Sequence, residues 1–145
     1  MKSSKLLFAS SIMFYVFYDI VSTIAASKYL GTFDYEKSFI LKASYNAAGM
    51  AGFILIKLMF SLMALYLAYL LIERFHKFRG VGLGMLAGAT CAGLFVGTSN
   101  FNIMLNGSSF WIMGMDSGTI AALIIILCAV GGFLLMPSNS PAKGA

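Results

Sequence analysis

Charge is scarce in this sequence. Asp, Glu, Lys and Arg make up 10% of the residues against 60% that are apolar, and the mean hydropathy is +0.89. A water-soluble domain is about a quarter charged and about half apolar. This composition cannot cover a solvated surface, so the chain is expected to be an integral membrane protein. Histidine is nearly absent. His76 stands alone in the charged stretch "ERFHKFR", which excludes a bis-histidine haem or a zinc site within one chain and leaves no Ser/His/Asp set at depth. The two cysteines, Cys91 and Cys128, fall in separate apolar runs without CxxC spacing. They are expected to be buried free thiols acting as small hydrophobes. The ten methionines are scattered rather than gathered in an MxxM string. No glycine loop followed by lysine is present to cradle a phosphate, and the paired carboxylates Asp34 and Glu36 sit on a polar connection. No metal or cofactor is expected, and most enzyme classes lose their machinery.

A formal net charge of +5 would suggest nucleic acid if the basic residues formed a stripe on a polar face. They flank apolar runs instead, as membrane topology requires. Nucleic acid is therefore excluded as a partner, and the lipid bilayer takes its place.

A bilayer-crossing helix needs roughly 20 mainly apolar residues. Four segments qualify, at about 6–28, 47–72, 80–104 and 110–136. They predict an all-α protein, a single membrane domain built as an antiparallel four-helix bundle. An outer loop would cover 29–46, a cytoplasmic loop 73–79, and a polar tail 137–145 after Pro137. The start of the chain has the basic and apolar regions of a secretory signal, but its apolar body is longer and holds Asp19. It is expected to be a retained first span. Lys2, Lys5, Arg74, Lys77, Arg79 and Lys143 fall on one side of four crossings. Lys28, Lys37 and Lys42, diluted by Asp34 and Glu36, fall on the other, so both termini are expected in the cytoplasm. "FDYEKSFILKASYN" mixes aromatics with charges in the manner of a short interfacial helix. In the third span Gly80, Gly84 and Gly88 recur at fours, as do Gly93 and Gly97. Such small residues let helices approach closely in lipid, so the third helix is expected at the packing centre, within the chain or against a second copy.

The polar residues inside the apolar runs carry most of the remaining information. Asp19 lies about nine residues, roughly 14 Å, from the outer end of the first span, and Lys57 about ten residues, roughly 15 Å, from that of the second. An unpaired charge near the bilayer centre costs roughly 3 kcal/mol on insertion scales, so the two are expected to face each other. Tyr15 and Thr23 stand one turn to either side of Asp19, and Ser61 one turn beyond Lys57. Asp116, near the start of the fourth span, and Thr98, Asn100 and Asn102, near the outer end of the third, fall at the same end. Every span thus supplies polar groups to the outer half, which suggests an outward-facing pocket. Each group also has a structural reading. The Asp–Lys pair could fix helix register, Asp116 could begin a helix, and Asn100 and Asn102 could turn the chain.

The succession "YDIVST", "FDYEKS", "GFILIK" resembles a loose group of small polytopic membrane proteins. That group carries Asp-x-x-x-Thr in the first helix, an acidic residue in the next loop, a lysine in the second helix and Asn late in the third. The resemblance implies Asp19, Thr23, Glu36, Lys57 and Asn100 as a common set; it implies no activity. Three functions fit the sequence. One is binding or transport of a small ligand or ion, with the chain acting as a homo-oligomer. A second is an accessory subunit docked through its glycine face to other membrane subunits. The third is an enzyme working on a lipid or quinone headgroup.

Overall fold

In the computed structural model the chain is helical apart from its connections, and residues 2–36, 38–108 and 110–135 are described. Lys37, Pro137 and Lys143, and with them the expected tail, lie outside the described residues. The first span consists of α1 (Lys2–Ser11), a π-helical segment (Ile12–Tyr18) and α2 (Asp19–Leu30). The later helices are α3 (Phe39–Arg74), α4 (Arg79–Asn106) and α5 (Ser117–Leu135). Four helices, Ser3–Leu30, Phe39–Arg74, His76–Asn106 and Ser117–Leu135, are long and apolar enough to cross a membrane.

Two boundaries depart from the hydropathy reading. The second helix begins at Phe39 rather than near Ala47, capped by the Ser38 hydroxyl, which accepts the Leu41 N–H. Helical structure therefore occupies the part of the first connection where an interfacial helix is expected, and a kink at Ala48 and Gly49 separates it from the long apolar run. Gly49 takes φ +63°, ψ −154°, a region open to glycine almost alone. Gly52, one turn on, faces the Ser44 carbonyl and Ala48 with no room for a side chain. The kink lets Tyr45 and Phe53, on either side of it, close on Phe33 from the loop. Phe33 stacks on Tyr45 (4.2 Å) and meets Phe53 edge-on (5.0 Å).

The fourth helix begins at Ser117, not at 110. Trp111–Ile112 (β1) and Met115–Asp116 (β2) form a small antiparallel hairpin instead. Its two turn residues, Met113 (φ +53°) and Gly114 (φ +77°), both have positive φ, as a type I′ turn requires. Apolar content alone hid this turn, because Trp, Ile and Met look like membrane helix in any hydropathy window.

α4 is the packing centre, and it packs within the chain. A side chain on Gly84 would collide with the Cys128 backbone of α5, one on Gly88 with Ile125, and one on Gly132 with the Gly80 carbonyl. Gly93 lies against the backbone of Phe14 and Tyr15 in the π-helical segment, and Gly97 against the Tyr18 ring. Gly82 meets Ala68 and Ile72 of α3. The glycine stripe proposed as a docking face for other subunits is thus filled by the chain's own helices. A core of Val16, Ile20, Leu65, Ala68, Ile72, Leu86 and Ala89 joins the first span, α3 and α4. The cysteines correct another expectation: Cys91 is exposed on α4 and Cys128 is half-buried.

Close backbone packing at Gly84 gives the first prediction. Gly84→Ala should lower the melting temperature in detergent, since overpacking a filled site costs about 1–3 kcal/mol. Gly131→Ala, where a methyl group meets nothing within 4 Å, should leave it unchanged or raise it through better helix propensity. Equal melting points for the two variants would show that the α4–α5 contact does not hold.

Candidate binding site

Asp19 opens α2 directly after the π-helical turns, and its N–H bonds the Val16 carbonyl. Its Oδ2 lies 2.9 Å from Lys57 Nζ, and both side chains are about nine-tenths buried. The expected meeting of the two charges is present. Lys57 also sits 5.2 Å from the centre of the buried Phe53 ring, a distance at which a ring face attracts a cation. The Phe53 ring and the Asp19 carboxylate thus both hold the ammonium.

The remaining oxygens of Asp19 are tied into a hydroxyl network. Asn100 Nδ2 donates to Ser22 Oγ (3.0 Å) and Thr23 Oγ1 (3.1 Å), and approaches Asp19 Oδ1 at 3.5 Å. Ser22 and Thr23 in turn donate to the Asp19 main-chain carbonyl at 3.0 and 2.7 Å. Asn100 therefore links α4 to α2 through acceptors that are already oriented. Within "GTSNFN" the other candidates look elsewhere. Thr98 bonds the Leu94 carbonyl on an exposed face, and Asn102 Nδ2 donates to the Ser108 carbonyl, closing the chain turn after α4. The structural reading holds for Asn102, whereas Asn100 belongs to the buried network.

The first connection covers this network. Tyr35 donates its phenol to the Thr23 carbonyl at 2.6 Å. Burial, with the neighbouring Glu36 carboxylate, pushes the Tyr35 phenol well above its ordinary value, so it remains a donor throughout the physiological range. Glu36 Oε1 accepts the Ser38 N–H at 2.9 Å. Exposed Asp34 pairs with Lys42 at 3.2 Å and accepts from Thr32, and these contacts hold its carboxyl below the usual range. Asp116 sits at the start of α5, its Oδ1 accepting the N–H groups of Gly118 and Thr119 at 2.9 and 3.1 Å. That is a helix N-cap, the helix-start role that the sequence also offered for Asp116, with the helix itself beginning seven residues later than expected.

Around these groups lies a cavity of about 480 Å³, within the range of roughly 300–1,000 Å³ usual for small-ligand sites. Tyr15, Asp19, Thr23, Glu36, Lys57, Ser61, Asn100 and Asp116, eight of the ten polar residues singled out from the sequence, line it, whereas Thr98 and Asn102 do not. Of these, Asp19, Thr23, Lys57 and Asn100 touch one another; the other four face the cavity from separate positions. Tyr35 and Ser38 join the lining as well. Sequence reasoning missed Ser22 and Tyr35. Ser22 stands three residues after Asp19, the spacing at which a helical hydroxyl reaches back to a carbonyl. Tyr35 gave no signal, because its position depends on how the loop folds back. Among the described residues no three His, Cys, Asp or Glu side chains are placed to hold a metal ion.

Breaking a buried pair from one side typically costs 3–5 kcal/mol, because it leaves an uncompensated charge. Asp19→Asn and Lys57→Met should therefore each lower thermal stability in detergent, and the double variant should recover much of the loss. Strictly additive losses in this cycle would show the two residues to be independent.

Comparisons of the chain with known protein families, with characterised proteins and with solved structures find no match.

Proposed function

We propose that this chain is a four-crossing membrane protein with antiparallel neighbouring helices and both termini in the cytoplasm. In this reading its cavity binds a small ligand or ion at the outer side of the membrane, alone or as a step in transport. The observation that carries the reading is the convergence of polar residues from all four spans on one cavity of about 480 Å³. A register pin needs the Asp19–Lys57 pair alone. It does not need Tyr15, Ser61 and Glu36 spread around an empty volume on the same side.

The arrangement of the helices rests on contacts at two levels. Ser4 donates to Glu73 at 3.5 Å, and Asp19 meets Lys57; such pairs, early with late, are those of helices running in opposite directions. The basic residues supply the orientation, since Lys5, Arg74, Lys77 and Arg79 fall at the end away from the cavity. Large exposed side chains along the helices, among them Leu67, Leu105 and Leu127, suit contact with lipid tails.

Substituted-cysteine labelling in sealed vesicles tests both parts, in a background with Cys91 and Cys128 changed to alanine. A membrane-impermeant thiol reagent should modify Gly107→Cys and Ser61→Cys from the outer side, and Ser3→Cys only from the cytoplasmic side. Labelling of Ser61→Cys from the cytoplasm, or none from either side, would defeat the outward-open cavity.

A further inference from the structure

Among the described residues α3 and α5 each pack extensively on α4 and not on one another, and residues of both line the cavity. Its floor is buried and polar, formed by Asp19, Thr23 and Asn100. Its rim divides in two. One part lies at loop level, at Ser38 and Gly118. The other lies within the apolar runs, where the lining includes two exposed residues: Phe60, three turns past the Gly49 kink and 45% exposed, and Ala122, on the second turn of α5. We infer that the cavity opens sideways between Phe60 and Ala122 and takes a single-chain amphiphile with a cationic head, the head within the cavity and the tail leaving through this gap. The inference deepens the binding function proposed above and rests on it.

The tail is argued from the rim. An opening lined by Phe60 and Ala122 within the apolar stretch of both helices faces hydrocarbon, where a polar solute would lose its hydration without replacement. An alkyl chain loses nothing there, and the low wall of Ala121, Ala122 and Gly118 on the α5 side leaves room for one.

The head is argued from the charges. Lys57 is the cation among the described residues lining the cavity, and it is committed to Asp19 at 2.9 Å. Asp116 is engaged at the start of α5. Glu36 remains as a half-buried carboxylate facing the cavity, with Oε1 on a main-chain N–H. Among the described residues of the lining, an anionic head would meet Glu36 with no uncommitted cation to hold it. A cationic head meets that carboxylate and the rings of Tyr15, Tyr35 and Phe60 along the lining, the groups that bind substituted ammonium ions.

Electron spin resonance with the full chain in phosphatidylcholine bilayers tests this, using stearylamine and stearate spin-labelled at the same chain position. The net charge of +5 makes an ordinary lipid annulus favour stearate. The inference instead expects stearylamine to be immobilised by the protein in preference to stearate, by about two- to fivefold. Glu36→Gln should abolish that preference. Ala122→Trp, which walls the gap, should remove it too, while Phe60→Ala, which widens the gap, should preserve or raise it; opposite signs at one rim cannot both come from misfolding. A preference for stearate overturns the cationic head. A preference for stearylamine that survives Ala122→Trp overturns the sideways opening. Protection of Ser61→Cys from labelling by tetraethylammonium, a cation without a long chain, separates the two levels. Protection without any stearylamine preference would leave the binding function standing and defeat the amphiphile. Loss of both would defeat the binding function itself.

Discussion

A lysine in the middle of an apolar helix has few physical solutions. Its ammonium must reach water, neutralise, or meet an anion, and on this chain it meets Asp19 at 2.9 Å. Much of the surrounding architecture follows from making that meeting satisfactory. A carboxylate has more than one lone pair to place, so Thr23 and Asn100 approach its second oxygen at 3.4 and 3.5 Å, while Ser22 donates to the Asp19 main-chain carbonyl and accepts from Asn100. An ammonium on a long stem must be steered, so Phe53 lies beneath it, and Phe33 and Tyr45 hold Phe53 in turn. Lys57 is thereby connected to the kink at Gly49 and to the loop that closes over α2.

Glycine does the complementary work on the other side of α4. Polar groups can converge from several helices only if the helix axes come close. The absence of side chains at Gly84, Gly88 and Gly93 permits backbone contact with α5 and with the π-helical turns. For helices in a bilayer, dispersion between closely spaced backbones takes the place of the hydrophobic drive that lipid does not supply. The same contacts fix where the cavity lies. With α5 held on one face of α4 and α3 on another, the space between α3 and α5 stays open.

Much of this was legible in the sequence, for identifiable reasons. Helix number follows from the length of apolar runs, and the depth of Asp19 and Lys57 follows from counting residues along them. The prominence of α4 follows from glycines spaced by four. What was not legible depends on local backbone geometry that hydropathy does not report. The Met113–Gly114 turn sits inside an apolar stretch, the Gly49 kink inside a helix, and the π-helical turns of Ile12–Tyr18 within an unbroken apolar and aromatic run. The start of the fourth helix was misplaced by about two turns for the same reason, since the hairpin moves it to Ser117. Tyr35 reaches Thr23 from a loop whose Phe33 is held by Tyr45 and Phe53 on the two sides of the kink, a relation that no spacing rule contains.

The central claim is that Asp19 and Lys57 form one buried ion pair when the chain is in lipid. Solid-state NMR can measure it directly, by dipolar recoupling between a ¹³C-labelled Asp19 carboxyl and the ¹⁵N-labelled Lys57 Nζ in bilayers. The account predicts the strong dephasing of a contact pair, consistent with 2.9 Å between Nζ and Oδ2. Dephasing too weak for any N···O separation under about 4 Å, the outer limit of an ion pair, would contradict it.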